Sequence, residues 1–267
     1  MKETEKDQIR QTVRNNYQKI AIKNIDTGGC CTPSSGCCDT PLDYKEISAK
    51  LGYSQEELSV VPEGANMGLG CGNPQAIAAL QPGEVVLDLG SGGGFDCFLA
   101  ARQVGEQGHV MGVDMTPEMI SKARNNAVQG GFANTEFRLG EIEHLPIADN
   151  TVDVIISNCV INLSPDKPQV FKEAYRVLKP GGRLAISDVV TTTELPAEIR
   201  NDLGDLYSGC ISGASSIEEV ENMLQQSGFT TIVVEPKDES KDFIKDWAPG
   251  ANVEDYIVSA VIKGVKP

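Results

Sequence analysis

The chain has 267 residues, of which 40% are hydrophobic and 23% charged, a composition typical of globular enzymes. Its formal net charge of -15 argues against a nucleic-acid partner or an anionic membrane surface, because both require clustered Lys and Arg side chains. Since no apolar run suits a signal peptide or a spanning helix, we expect a cytoplasmic protein without a membrane partner. In that compartment the eight cysteines are expected to be reduced thiols for metal, metalloid or redox chemistry.

The N-terminal part is predicted to contain helices and two cysteine-bearing loops. Apolar residues at helical spacing predict an amphipathic helix over residues 8–20. A loop containing CCTPSSGCC (30–38) follows, and its Gly, Pro and Ser residues favour a solvent-facing segment. Residues 43–60 are predicted to be further helix, and residues 61–75 form a Gly-, Asn- and Pro-rich loop that carries Cys71.

From residue 82 onwards, strand and helix patterns alternate. VVLDLG (85–90) and HVMGVD (109–114) are short apolar runs that suit buried parallel strands, with a helix over 95–104 between them. Thr116, Pro117 and Glu118 form a helix-start signal, and Gly130 is a stop signal. Such alternation predicts an α/β fold with a doubly wound, mostly parallel sheet. The remaining elements of this part are TEFRLG, VDVIISN and RLAISDV as strands, and QVFKEAYRVL as a helix.

The C-terminal part has a looser pattern. Residues 194–209 and 215–228 are predicted to be helical, and residues 229–236 and 255–264 are predicted to be strands. These two strands would complete a sheet of seven strands, so the C-terminal part need not be a separate domain. The predicted parts are 1–75, which caps the active site; 76–190, the Rossmann-like core; and 191–267, which completes the sheet and contributes to the active site.

A glycine loop follows the first strand of the core. The stretch DLGSGGGFDCFLA (88–100) contains Gly90 and Gly92, which allow a tight turn and a close approach of a ligand. In a doubly wound sheet this position faces the ligand crevice. Asp114 ends the second strand, where a carboxylate can accept hydrogen bonds from both ribose hydroxyls. The loop also fits a dinucleotide fingerprint loosely, so by itself it predicts only a nucleotide-like cofactor.

Two later motifs narrow the class of cofactor. GEIEHLPIADNTVDVIISN (140–158) and LKPGGRLAISD (178–188) resemble Class I S-adenosylmethionine-dependent methyltransferases, across roughly residues 80–190. The resemblance implies S-adenosylmethionine as cofactor. Two of the implied residues, Met115 and Ile142, have an alternative interpretation as core residues. The implied contacts are Gly90 and Gly92 with the methionine part, Asp114 with the ribose, Met115 and Ile142 around the adenine, Glu141 near its amino group, and Asp88 and Asn158 as further cofactor residues.

Three cysteines are expected at the same edge of the sheet. Cys71 precedes the first strand, Cys159 follows the fourth strand directly, and Cys210 belongs to a segment that can fold over this edge. Thiolates are soft donors that select thiophilic centres, and trivalent arsenic binds three sulfurs while keeping one outward lone pair. Cys97 falls inside the first core helix and is predicted to be a small core residue.

The cysteine motifs carry a narrower resemblance. ANMGLGCGNP, SNCVINLSPDK and SGCISGA, together with CCTPSSGCC, resemble arsenite S-adenosylmethionine methyltransferases from about residue 10 to 267. The family implies methylation of arsenite in detoxification, with Cys71, Cys159 and Cys210 as the arsenic-binding thiolates. It also implies that Cys37 or Cys38 is a disulfide relay, with thioredoxin or glutathione as the thiol reductant. We expect a monomer whose substrate is arsenite or a thiol conjugate of arsenite.

Other functions remain open at this stage. A methyltransferase for an organic acceptor, such as a quinone precursor or a lipid, would share the glycine loop but would not need the three cysteines. A non-enzymatic protein that sequesters metalloids would need only the thiols. The paired cysteines at 30–38 could form a zinc clip, although adjacent pairs match the usual spacing poorly, or could be dispensable.

Overall fold

A mixed β-sheet lies at the centre of the computed structural model, which describes residues 2–23, 44–202, 204–248 and 250–267. Its strands coincide with the apolar runs of the sequence, and two of them pair in the C-terminal part. The strands are β1 (Val85–Leu89), β2 (His109–Asp114), β3 (Thr135–Leu139), β4 (Val152–Asn158), β5 (Leu178–Thr191), β6 (Ser215–Ser216), β7 (Thr230–Lys237) and β8 (Ile257–Val265).

The strand order is β3-β2-β1-β4-β5-β8-β7, and β6 pairs with β5 off this path. The first five of these strands pair in parallel, whereas β8 pairs antiparallel with both β5 and β7. The predicted doubly wound, mostly parallel sheet is therefore confirmed. The two-residue β6 makes the sheet eight-stranded rather than seven-stranded, because a pairing this short leaves no periodic pattern in the sequence.

Helices cover both faces of the sheet. No helix among the described residues is long and apolar enough to span a bilayer. The helices are α1 (Glu3–Lys23), α2 (Tyr44–Lys50), α3 (Gln55–Val60), α4 (Gln75–Ala78), α5 (Phe95–Val104), α6 (Pro117–Gly130), α7 (Lys167–Val177), α8 (Ala197–Arg200), α9 (Asp205–Ser208), α10 (Ile217–Gln226) and α11 (Lys241–Ile244), with single 3-10 turns at Ile161–Leu163, Asp238–Ser240 and Val253–Asp255.

Two helix predictions were wrong in extent. The single helix predicted over 43–60 is two helices, because Gly52 adopts a left-handed φ of 97° and Ser54 starts α3 with a capping box to Glu57. The helix predicted over 194–209 is reduced to the single turns α8 and α9. Between them the Asp202 carboxylate accepts the backbone N–H of Gly204 at 2.8 Å, a local bond that competes with helix.

Alternate residues of the central strands build two apolar layers. Leu87 and Ile155 belong to the cluster on one face of the sheet, and Val86, Val154 and Ile156 belong to the cluster on the other. Because both faces are covered, the polar edge left open is the carboxyl end of the parallel strands. This edge, where the order reverses between β1 and β4, is the ligand crevice of doubly wound folds.

Helix α1 lies across this open edge. It packs on α6 and α9, and Val13 on its inner face is fully buried. Ion pairs fix its outer side: Arg14 Nη2 lies 3.1 Å from the Glu141 carboxylate, and Lys6 pairs with Asp166. The predicted amphipathic helix over 8–20 is therefore the centre of a longer helix that covers the mouth of the crevice.

Candidate active site

A cavity of about 630 Å³ occupies the carboxyl edge of the sheet beneath α1. Its size is typical of a site for a small molecule or cofactor. The lining includes most residues that the sequence assigned to the cofactor and two of the three expected thiols. The predicted residues in the lining are Asp88, Gly90, Gly92, Asp114, Met115, Ile142, Asn158, Cys159 and Cys210.

The glycine loop forms one wall of the cavity. Gly90 adopts a φ of 71°, and a Cβ atom built there would lie 2.4 Å from Val160. Its backbone N–H donates to the carbonyl oxygen of Val113 at 2.8 Å, which ties the loop to β2. Only glycine fits this combination of left-handed backbone and close contact. At Gly90, Gly92 and Gly93 the loop therefore presents bare backbone to the crevice, and Ser91 is the residue between them that carries a side chain.

Asp114 lies opposite the glycine loop at the end of β2. Its carboxylate accepts the N–H of Gly92 at 3.0 Å and the N–H of Thr116 at 2.8 Å. Burial raises the pKa of Asp114, and these two donors oppose that shift by stabilising the charged form. A carboxylate held in this way can still accept hydrogen bonds from a ligand, as binding of ribose hydroxyls requires.

Asp88 lies beneath the glycine loop and is buried. Burial first, and then the charge of Asp96, raise the pKa of Asp88 well above the usual range for a carboxyl group. The Cys97 thiol donates to Asp88 Oδ2 at 3.3 Å. Cys97 is fully buried in one apolar layer, away from the other described thiols, as predicted for a core residue.

The residues expected around an adenine occupy two environments. Met115 and Ile142 both line the cavity, and Ile142 also belongs to an apolar layer of the sheet. Glu141 instead pairs with α1, through Arg14 at 3.1 Å and Arg10 at 3.6 Å. The structure therefore gives the Glu141 carboxylate a partner within the chain, which the sequence did not indicate.

The three expected thiols converge at one side of the cavity, where Cys159 and Cys210 line it and Cys71 lies behind Cys159. Cys71, Cys159 and Cys210, which we call the thiol cluster, are all buried in a single apolar cluster. The Cys210 thiol donates to the carbonyl oxygen of Cys159 at 2.7 Å. The Sγ atoms of Cys71 and Cys159 and a carboxylate oxygen of Asp188 all lie within 4.8 Å of one another.

Cys159 is the most acidic thiol of the cluster. Hydrogen bonds from Cys210 and then Cys71 lower the pKa of the Cys159 thiol to about 5. The same contacts, together with burial, raise the pKa values of Cys71 and Cys210 well above the usual thiol value. These shifts favour the thiolate form at Cys159 and the neutral thiol form at Cys71 and Cys210. A thiolate is the nucleophilic and metal-binding form of cysteine.

Asp188 is a neighbour of the cluster that the sequence reasoning missed. It lies within the motif LKPGGRLAISD, but no spacing rule connects β5 to the cysteines. Its carboxylate accepts the N–H of Ile161 at 2.8 Å and the side-chain amide of Asn162 at 2.8 Å, so it orders the turn after Cys159. Burial first, and then the charge on Cys159, raise the pKa of Asp188 to about 8.

Tyr17 on α1 was also missed as a site residue. Tyr17 lines the cavity and packs against the apolar cluster that contains the three thiols. Loss of solvent around its hydroxyl, followed by the nearby Cys210 and Cys159, raises the pKa of Tyr17 well above its usual value. The sequence showed only that Tyr17 lies on the apolar face of a helix. Cys37 and Cys38, predicted as the relay, lie outside the described residues.

The backbone is left-handed at two members of the thiol cluster. Cys159 has a φ of 59° and Cys210 a φ of 65°, conformations that are uncommon for residues with a Cβ atom. Backbone hydrogen bonds hold both: Cys159 N–H to the Ser187 carbonyl at 2.8 Å, and Cys210 N–H to the Tyr207 carbonyl at 2.9 Å. The turns aim the two sulfurs at the cavity at a cost in backbone energy.

Known proteins resemble the chain along almost its whole length. A family described as "Methyltransferase domain" matches residues 80–228. The arsenite methyltransferase of Halobacterium salinarum is 50% identical, across 98% of this chain and 67% of its own length. The arsenite methyltransferase of Aquipseudomonas alcaligenes is 42% identical, across 83% and 62% respectively. This chain belongs to the arsenite methyltransferase family.

A solved structure supports the same placement within the arsenite methyltransferase family. The arsenic(III) S-adenosylmethionine methyltransferase of Chlamydomonas reinhardtii is 32% identical and superimposes with a TM-score of 0.62, covering 83% of this chain and 73% of its own. The family resemblance, the fold and the methyltransferase class predicted from the sequence are thereby confirmed. The chain spans only 67% and 62% of the length of the two curated relatives.

Proposed function

We propose that this methyltransferase transfers a methyl group from S-adenosylmethionine to trivalent arsenic bound by Cys71, Cys159 and Cys210. The observation that carries the proposal is the convergence of these three thiols, from distant segments, in one buried cluster, with Cys159 and Cys210 lining the cofactor crevice and the Cys71 sulfur within 4.8 Å of the Cys159 sulfur. A methyltransferase for an organic acceptor has no use for such a cluster. Soft thiolates, by contrast, are the ligands that a thiophilic metalloid requires.

The crevice fits the proposed cofactor. Ser91 in the glycine loop has a buried hydroxyl without a hydrogen-bond partner among the described residues, and it lines the cavity. Gly90 and Gly92 line the cavity where a methionine moiety would lie, and Asp114 offers acceptors for ribose hydroxyls. Met115 and Ile142 provide the apolar surfaces for an adenine ring. When bound, S-adenosylmethionine supplies the methyl group and keeps the bonding electron pair as S-adenosylhomocysteine.

The thiol cluster prepares arsenite for this transfer. The Cys159 thiolate displaces the first hydroxide of arsenite, and the protons of the Cys71 and Cys210 thiols leave with the others as water. The product of these exchanges is arsenic with three sulfur ligands and one free lone pair. The thiols lie in apolar surroundings, which disfavour water at the site. Because the cluster holds the arsenic atom in a fixed position, its lone pair can be aligned with the methyl group, which lowers the entropic part of the barrier.

The reaction also requires a reductant. Methylation takes arsenic formally from the trivalent to the pentavalent state. Return to the trivalent state takes two electrons from two cysteine thiolates, which form a disulfide, and thiol exchange with the relay and the reductant returns that disulfide to two thiols. We assign the relay to Cys37 or Cys38 and the final reductant to thioredoxin or glutathione, in a cytoplasmic monomer. The assignment is supported by the family resemblance of the motif CCTPSSGCC.

The proposed function is tested by offering two acceptors to the purified chain. With labelled S-adenosylmethionine and a thiol reductant, arsenite should yield methylated arsenic and an equal amount of S-adenosylhomocysteine, measured by arsenic speciation. Phosphoethanolamine, an organic acceptor, should take up no label. Label on phosphoethanolamine and none on arsenite would overturn the proposal. Omission of the reductant should limit the reaction to about one turnover.

A further inference from the structure

Asn158 makes an unusual set of contacts for a residue at the end of a strand in the cofactor crevice. Its Oδ1 accepts the backbone N–H of Cys71 at 2.9 Å, and its Nδ2 donates to the carbonyl oxygen of Gly72 at 2.8 Å. One side-chain amide thus holds two consecutive residues of a loop 87 positions away in the chain. The bonds replace those that a neighbouring strand would provide.

Further hydrogen bonds to Tyr53 and Asp96 fix the orientation of the Asn158 amide. Its Nδ2 also donates to the Tyr53 hydroxyl at 3.0 Å, and that hydroxyl in turn donates to Asp96 Oδ1 at 2.8 Å. Gln75 donates to the backbone carbonyl of Asp96 at 2.9 Å. Because Nδ2 faces only acceptors, the amide can be placed in one way alone. Both of its N–H hydrogens are used, and none remains for a cofactor.

The loop is held from its other side as well. The hydroxyl of Ser259 on β8 donates to the carbonyl oxygen of Cys71 at 2.7 Å. Gly70 has a φ of 127°, and a Cβ atom there would lie 2.7 Å from the Asn158 amide. The loop therefore packs so closely against Asn158 that only glycine fits at position 70. Both backbone polar groups of Cys71 are bonded, so its Cα position is determined by side chains of β4 and β8.

We propose that Asn158 is a positioning residue for the third sulfur: it holds Cys71 where its thiol completes the arsenic ligand set. This role rests on the proposed function and differs from the cofactor contact that the sequence implied. Cys159 and Cys210 contact each other directly, whereas Cys71 reaches them on a loop without secondary structure of its own. Without the amide clamp, arsenic retains two sulfur ligands and loses the third.

The first test counts sulfurs. In Asn158→Ala, X-ray absorption should show bound arsenic with two sulfur neighbours instead of three, and affinity for arsenite should fall roughly tenfold to thirtyfold, as for loss of two hydrogen bonds. Affinity for S-adenosylmethionine should stay within about twofold. Three retained sulfurs, or a selective loss of cofactor affinity, would overturn the proposal.

A double-mutant cycle separates positioning from general damage. Cys71→Ser removes the third sulfur, so Asn158→Ala added to it should cause no further loss of arsenite affinity. Additive losses would show that Asn158 acts elsewhere and would sink the inference. Should the alanine variant fold poorly, Asn158→Asp keeps the volume and the acceptor for Cys71 N–H but faces Gly72 with an oxygen. Asn158→Asp should also cause no further loss of arsenite affinity when added to Cys71→Ser, and its loss as a single variant should be smaller than that of Asn158→Ala.

A third measurement needs no arsenic and so distinguishes failure of this inference from failure of the proposed function. Cys71 is 1% exposed and Cys97 is fully buried, so both thiols should react slowly with a maleimide in the native protein. In Asn158→Ala the Cys71 loop should open, and labelling of Cys71 should accelerate at least about tenfold by peptide mass spectrometry. Cys97 should stay protected. Equal protection of both thiols would overturn the inference.

Discussion

The two walls of the crevice are built on different principles. The cofactor wall uses Gly90, Gly92 and Asp114, which lie close together in sequence and are joined by hydrogen bonds between adjacent parallel strands. The thiol wall gathers Cys71, Cys159 and Cys210 from segments 88 and 51 residues apart (159 − 71 and 210 − 159). Local backbone thus determines the first wall, and long-range side-chain contacts determine the second.

This difference teaches where each wall is vulnerable. A change in the glycine loop acts through backbone conformation and steric contact, at the position changed. A change in the thiol wall can act at a distance, because Asn158, Ser259 and Asp188 hold the backbone that carries the sulfurs. The two walls meet where Gly90 contacts Val160, the residue after Cys159.

The largest effect is expected from Cys159→Ser. The variant removes the most acidic thiol of the cluster, and a serine hydroxyl neither ionises at neutral pH nor binds arsenic strongly. Arsenite methylation should fall at least about 100-fold, while S-adenosylmethionine affinity changes less than about twofold. Activity is measured by arsenic speciation and affinity by calorimetry. Cys97→Ser, which also exchanges a buried thiol but keeps a donor to Asp88, should retain methylation.

If Cys159→Ser instead lost cofactor affinity to the same degree as activity, the two walls would not act independently in binding cofactor and arsenite. If Cys97→Ser were as damaging as Cys159→Ser, loss of a buried thiol in general, and not loss of the cluster, would explain the effect.

The next largest effect is expected at the junction of the walls. Gly90→Ala places a Cβ atom against Val160 and disfavours the φ of 71°, which together cost a few kcal/mol. Affinities for S-adenosylmethionine and for arsenite should both fall, the former at least about tenfold. Isothermal titration with each ligand measures the two affinities.

Val160→Ala on the Gly90→Ala background tests the mechanism of this loss. The smaller side chain should restore part of the lost arsenite affinity, because the steric push on Cys159 is relieved, whereas the backbone strain at position 90 remains. No restoration would mean that the two walls are not coupled through this contact.

A pH titration should expose the ionisation of Cys159 in the thiol wall. The pKa of Cys159 is lowered to about 5, so its thiolate is retained as pH falls from neutrality and is protonated only near pH 5. Arsenite association should therefore be lost as pH falls through about 5, whereas any stability gained from this ionisation should decline progressively as pH falls from the ordinary thiol value of about 8.5 and be gone by about 5. The thiolate absorbance of the native protein minus that of Cys159→Ser should titrate there. A midpoint near the ordinary thiol value, about 8.5, would contradict the assignment.

The smallest effect is expected where α1 covers the cofactor wall. Arg14 pairs with Glu141 at 3.1 Å, but both side chains are about one third exposed, so solvent screens the pair. Arg14→Ala should lower the unfolding free energy by only about 0.5 kcal/mol and the melting temperature by about 1–2 °C. Arg200→Ala, which breaks a more exposed pair with Glu194, should change less. A larger loss of unfolding free energy in Arg14→Ala would show that the ion pair between α1 and Glu141 is a main source of stability for this wall.

Most of the fold could be predicted because most strands and helices have a local sequence pattern, such as an apolar run with a glycine or a capping residue at its end. Strands β1 and β2 and helix α5 fell within one residue of their predicted bounds, since each is an apolar run bounded by glycine or a capping residue. The prediction was wrong at residues 194–209, where the local bond between Asp202 and Gly204 and the burial of Tyr207 in the apolar cluster that contains the three thiols replace a continuous helix.

The sequence predicted which residues form the site and the edge of the sheet where they meet, but not the side chains that support them. Soft ligands in three segments indicated thiophilic chemistry, and the parallel sheet indicated a common edge. The supports of that edge were not visible, because the amide of Asn158, the hydroxyl of Ser259 and the carboxylate of Asp188 act on distant backbone groups. Side-chain bonds of this kind leave no periodicity in the sequence.

The left-handed turns at Cys159 and Cys210 have a consequence for engineering. Left-handed backbone costs a residue with a Cβ atom on the order of 1 kcal/mol, a penalty that glycine escapes. A screen that rewards heat resistance alone would thus be drawn towards glycine at two positions whose sulfurs do the chemistry. Directed evolution of this scaffold needs turnover as a second criterion, because a variant with a higher melting temperature can lack methylation activity.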